Sequence, residues 1–147
     1  MHQLSLPSTP DLVVIACSKG KLERPAPAEQ LYTGSLFVLA LAAARSFVDD
    51  TRIRVLSARY GFVPLDRELA PYDQRWWATG RMPSLLRKQA VAQNIAGAKS
   101  VLSLCPGEYW LRVQQIWPHA VDGFAGCRGI GEQRHVLAGI KKSGAMR

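Results

Sequence analysis

Short apolar runs rich in β-branched residues punctuate this chain at three places: Leu12–Ala16, Ile53–Ser57 and Val101–Leu104. Continuous runs of this length fit strands buried on both faces of a sheet. Between them lie longer segments with helical character. Leu36–Phe47 is alanine- and leucine-rich and apolar nearly all round, as in a helix enclosed by a layered fold. Thr33 or Ser35 is placed to cap it. Pro83 and Ser84 open a second helix through about Ala96, stopped by Gly97, and Glu108–Trp117 and Glu132–Lys141 give two more. Strands alternating with helices predict an α/β fold: a single three-layer, Rossmann-like domain over residues 1–147 with a mainly parallel sheet. Met1–Pro10 reads as a loosely held lead-in, and the proline-bearing Ser18–Gln30 and Phe62–Asp73 as irregular loops.

In such sheets ligands bind where strands release their polar side chains, at the carboxyl edge. The first strand ends in Ala16-Cys-Ser-Lys-Gly-Lys-Leu and the second in Leu56-Ser-Ala-Arg-Tyr-Gly-Phe. These endings set Cys17, Ser18, Lys19, Lys21, Ser57, Arg59 and Tyr60 on one rim suited to an anion. Lys19 and Lys21 are mobile point charges that suit phosphate oxygens, or else solvated loop lysines. Cys17 beside them is either an activated thiolate or a small apolar filler. Tyr32 and Ser35 stand where a helix begins, near unpaired N–H groups. Pro71-Tyr72-Asp73 adds a ring beside a carboxylate. Asp73, and with it Asp66, could act as general base or stabilise positive charge on a sugar, or simply pair with a cation.

The charge balance sharpens the choice of ligand. Nineteen Lys and Arg against eleven Asp and Glu give a formal net charge of +8 and a pI near 9.9. That balance favours phosphate-bearing partners, a nucleic acid or a nucleotide, or else marks a soluble domain with a cationic surface; DNA is expected before RNA on the resemblance given below. Trp76 and Trp77 between Arg75 and Arg81 form a basic aromatic patch able to stack on exposed bases. The late Gly126-Cys-Arg-Gly-Ile-Gly segment lacks the strand context of a dinucleotide fingerprint, though Arg128 could border the site. Three widely spaced cysteines without a CxxC pair predict neither a disulfide framework nor a metal site, and no cofactor is implied. No apolar run reaches the roughly 20 residues of a membrane span. The first residues do not read as a signal peptide, so cytoplasmic residence without membrane attachment is expected. Oligomeric state is not legible.

Taken in order, several of these pieces resemble an uncharacterised bacterial and phage family near the YaaA-type proteins. The likeness is carried by Cys17-Ser-Lys-Gly-Lys, Pro25 and Ala28 before Leu31-Tyr32, Ser35 and Phe37. It continues through Leu56-Ser-Ala-Arg-Tyr-Gly, Pro71-Tyr72-Asp73 and Gly126…Gly129-Ile-Gly. Around Cys17-Ser18 and the following lysine and tyrosine the chain is also similar to archaeosine synthase, which modifies a deazaguanine base in transfer RNA. The resemblance implies an α/β core and a role around nucleic-acid bases. Three functions are then expected in turn: a base-processing enzyme of DNA-glycosylase type, a non-catalytic DNA- or nucleotide-binding module, and a nucleoside transferase.

Overall fold

The computed structural model describes residues 9–73 and 82–145, with side chains over 9–73 and 83–140. The Arg75, Trp76, Trp77 and Arg81 patch and most of the N-terminal lead-in lie outside the described residues. Among the described residues seven strands and five α-helices follow one another: β1 (Leu12–Ala16), β2 (Ala26–Pro27), α1 (Ala28–Leu31), α2 (Ser35–Phe47), β3 (Ile53–Ser57), β4 (Gly61–Pro64), β5 (Glu68–Leu69), α3 (Met82–Ala92), β6 (Val101–Leu104), α4 (Gly107–Ile116), β7 (Val121–Asp122) and α5 (Ile130–Ala145). The fold is α/β, built on a mostly parallel, mixed five-stranded sheet in the order β4-β3-β1-β6-β7.

β1 is central. It pairs in parallel with β3 (Val13 opposite Ile53) and with β6 (Leu12 opposite Val101). Its five residues are all buried, which explains the unbroken apolar run. Alternate residues enter two separate clusters. Val13 and Ile15 join Phe37, Ala40 and Ala44 of α2 with Val136, Leu137 and Ile140 of α5. Leu12, Val14 and Ala16 join Leu86 and Ala90 of α3, Val113 of α4, and Trp117. Trp117 is fully buried, with its ring 5.2 Å from Phe62 and its indole N–H donating to the Ile95 carbonyl.

Several local expectations are corrected. Phe62–Asp73 is not uniformly irregular, because Gly61 reverses the chain at φ +74° and β4 returns antiparallel to β3. A Cβ at Gly61 would also sit 2.1 Å from the Gln89 side chain. That amide accepts from the Phe62 N–H and donates to the Tyr60 carbonyl, while Gln93 bonds the Phe62 carbonyl. The outer edge of β4 is thereby closed by side chains of the α3 segment. Ser18–Gln30 likewise contains β2, paired with β5, and the start of α1. Pro27 is tolerated there because the pairing is two residues long and lies outside the main sheet. α3 ends at Ala92 rather than Ala96, with Asn94 at φ +60°, a left-handed angle that asparagine adopts readily. Neither Thr33 nor Ser35 caps α2; Gly34 occupies the N-cap position. Among the described residues no helix is long and apolar enough to cross a membrane.

Candidate functional site

The carboxyl ends of β1 and β3 lie side by side, and the Cys17 N–H continues their pairing by donating to the Leu56 carbonyl. Beyond Cys17 the chain turns. The Ser18 hydroxyl donates to the Gly20 carbonyl at 2.6 Å and accepts from the Gly34 N–H at 3.2 Å. Thr33 N–H to the Gly20 carbonyl and Leu22 N–H to the Leu31 carbonyl draw the two sides of the loop together, with Lys21 bridging Tyr32. Gly34 is required by space: a Cβ there would lie 2.7 Å from the Ser18 Cβ.

This turn forms one wall of a hollow of about 310 Å³ lined by Cys17, Ser18, Lys19, Lys21, Tyr72, Asp73 and Tyr109. Its size falls at the lower end of small-molecule sites. A neighbouring hollow of about 330 Å³ shares Cys17, Ser18, Lys19 and Tyr109, and is walled on its far side by Ser35, Phe37, Leu104 and Pro106.

Behind the first hollow three hydroxyls form a chain. Ser57, fully buried, receives the backbone N–H groups of Arg59 (3.2 Å) and Tyr60 (3.0 Å). Its oxygen lies 2.7 Å from the Tyr72 hydroxyl, which in turn lies 2.6 Å from that of Tyr32. Burial pushes the Tyr32 phenol up to about 12 and raises Tyr72 and Tyr109 as well. All three rings therefore keep their protons at neutral pH. The Lys21 ammonium sits 4.4 Å from the centre of the Tyr72 ring, a cation–π contact, and also bonds the Lys19 carbonyl. The Cys17 sulfur lies 3.3 Å from the Tyr109 hydroxyl.

The residues singled out in the sequence thus divide. Cys17, Ser18, Lys19, Lys21, Tyr72 and Asp73 share the hollow. Ser57 and Tyr32 stand behind Tyr72; Tyr32 is 2 % exposed and supports the wall rather than forming a face for a ligand. Tyr60 packs edge-on against Tyr72, and Arg59 lies over the Tyr60 ring at 5.5 Å. Ser35 lines the second hollow and accepts from Arg134. Arg128 donates its backbone N–H to the Glu132 carboxylate and lines neither hollow. Asp66 is separated from the rest. With Glu29, Asp50 and Arg54 it lines a different hollow of about 410 Å³ by the amino end of β3, where it raises the guanidinium pKa of Arg54 against the lowering by burial.

One lining residue escaped the sequence reading. Tyr109 stands in the first turn of α4, which begins three residues after β6 ends at Leu104. The carboxyl-edge rule that selected Cys17 and Ser57 applies equally to β6 and selects this position. No metal-binding group of three or more His, Cys, Asp or Glu side chains occurs among the described residues.

No match was found among curated proteins or among solved structures. One family does match, over residues 12–138, a span from the first residue of β1 to well inside α5 that takes in both hollows: the chain belongs to DUF6884, a family of unknown function.

Proposed function

We propose that the protein is a nucleic-acid base-processing enzyme that acts on a nucleobase, modified or not, or on its N-glycosidic bond in DNA. The observation that carries this reading is the hollow itself, which combines two lysines, an aromatic wall and a carboxylate at the carboxyl ends of adjacent strands. Lys19 and Lys21 neutralise flanking phosphates, with Arg59 further out. Tyr72, packed against Tyr60 and covered by the Lys21 ammonium, forms the aromatic side of the hollow beside the base. Asp73 directs a water molecule or stabilises the sugar as its bond to the base weakens. A base reaches so small a hollow only from a single strand or by leaving the duplex, at a cost of a few kcal/mol in unstacking. The reading includes DNA as partner before RNA or a free nucleotide, a three-layer Rossmann-like architecture, and kinship with YaaA-type proteins in a phage-related setting. It also includes cytoplasmic residence, which three free thiols suit.

Mass spectrometry of free bases after incubation with phage and host DNA tests it. Wild type is expected to release a base, and Asp73→Asn to do so about 10²-fold or more slowly. Equal release by both proteins removes Asp73 from the chemistry. Salt-sensitive binding with no release by either replaces the enzyme with a binding module.

A further inference from the structure

The strand order of the main sheet marks a second place for a ligand. From β1 the chain passes through α2 to β3 on one side, and from β6 through α4 to β7 on the other. α2 packs on the sheet face that carries Val13 and Ile15, and α4 on the opposite face. The two connections diverge from the carboxyl ends of β1 and β6, and a crevice opens where the strand order reverses, as in other open α/β sheets. The hollow of about 330 Å³ lies in that crevice. It touches Ala16 and Leu104, the last residues of β1 and β6, and the first turns of α2 and α4. Its walls differ in kind from those of the first hollow. Leu36, Phe37, Leu104, Pro106 and Ile130 line it; among the described residues no carboxylate does, and Lys19 is its one charged lining residue. Ile130 stands at its rim, 53 % exposed. Lys19 lies between the two hollows and lines both. Its side chain is exposed and makes no hydrogen bond or ion pair among the described residues, whereas Lys21 is held by the Lys19 carbonyl and the Tyr72 ring.

We propose that this second hollow receives the base of the nucleotide next to the one processed, so that the site holds two consecutive nucleotides of a single strand with their linking phosphate at Lys19. The inference rests on the base-processing reading of the first hollow and narrows its substrate class to a strand of at least two nucleotides. Apolar walls suit the faces of an uncharged ring, which every base has, so this subsite adds affinity with little sequence preference. The charge of the ligand stays on the exposed boundary beside the free ammonium of Lys19, and neither hollow has to bury it. The Arg134 guanidinium, bonded to the Ser35 oxygen at 2.6 Å, adds a second cation beside the second hollow. Each hollow alone stands at the lower end of small-molecule sites, whereas a ligand that spans both fills a site well inside their range.

Calorimetric titration of the whole chain with three probes tests this: thymidine monophosphate, the 5′-phosphorylated thymidine dinucleotide, and the same dinucleotide with one base replaced by an abasic unit. The abasic probe keeps both phosphates and so separates the second base from the added charge. Wild type is expected to bind the dinucleotide about tenfold or more tightly than the abasic probe. Ile130→Glu, at an exposed position and checked for folding by circular dichroism, is expected to abolish that difference while leaving the other two probes within about twofold. Ile130→Leu is expected to retain it. Lys19→Gln is expected to weaken both dinucleotides and to lower the salt slope by about one. Amide shifts at Leu36, Leu104 and Ile130 are expected with the dinucleotide and not with the monophosphate. Equal wild-type affinity for the dinucleotide and the abasic probe, or equal weakening of all three probes by Ile130→Glu, overturns the second subsite and leaves base release by the first hollow untouched. Absence of base release by wild type overturns the base-processing reading instead, and these binding differences are measured independently of it.

Discussion

Gly34 and Ser18 show how one missing side chain shapes the site. Gly34 sits at φ −62°, an angle open to any residue, so space and not conformation selects it. An alanine Cβ would meet the Ser18 Cβ at 2.7 Å, and Ser18 is tied on both sides by hydrogen bonds. Gly34→Ala is therefore expected to lower stability by about 1–3 kcal/mol, as overpacking does, and to shift the Cys17–Lys21 wall of the hollow. Gly129, with open space at its Cβ position, supplies the control: Gly129→Ala is expected to stay within about 0.5 kcal/mol of wild type. Denaturant titration of the two variants checks both. A Gly34→Ala protein as stable as Gly129→Ala would mean that the turn yields freely. At this scale the sequence was informative wherever a side chain sits at a strand end. It was silent on Gly34, whose role depends on a contact sixteen residues away. It misled on Asp66, which resembles Asp73 in sequence neighbourhood but faces Arg54 at the other end of β3.

Elements were legible in proportion to their length and to the purity of their pattern. β1, β3 and β6 appear at the predicted bounds because each is an apolar run buried on all or nearly all of its residues. α2 begins one residue early, at Ser35, since its cap is a backbone glycine rather than a hydroxyl. β4 was hidden because Gly61 and Pro64 both look like strand breakers. In the fold the first makes the turn and the second ends the strand. β2, β5 and β7 are two residues each and exist only through their partners, so no local pattern announces them. The element that matters most to the site is the loop after β1. Its prolines read as an irregular loop, while its bridge to Tyr32 and its pairing with β5 are tertiary facts.

For the molecule as a whole, buried protonated groups set the response to alkali. Burial pushes the Cys105 thiol from an ordinary 9.0 up to about 12, and the Tyr32 phenol from 10.0 to about 12. Between those limits the unfolded chain has released protons that the folded chain still holds, so stability falls as pH rises. The contribution is intact below pH 9, and Cys105 begins to lose it there. Tyr32 follows from pH 10, each by about 1.4 kcal/mol per pH unit. The raised phenols of Tyr72 and Tyr109 act in the same direction. Denaturant midpoints between pH 7 and 11 are expected to be level up to about 9 and to drop beyond it. A level or rising profile through pH 11 would contradict the burial of these groups.

The central claim is that the ends of β1 and β3, with Tyr72 and Asp73, form one place where a base is received. Amide chemical-shift mapping of the ¹⁵N-labelled protein during titration with a short single-stranded DNA examines this most directly. Perturbations are predicted to gather at Cys17–Lys21, Ser57–Tyr60, Tyr72, Asp73 and Tyr109. Perturbations centred instead on Asp50, Arg54 and Asp66, or scattered over every cationic surface without preference, would contradict it.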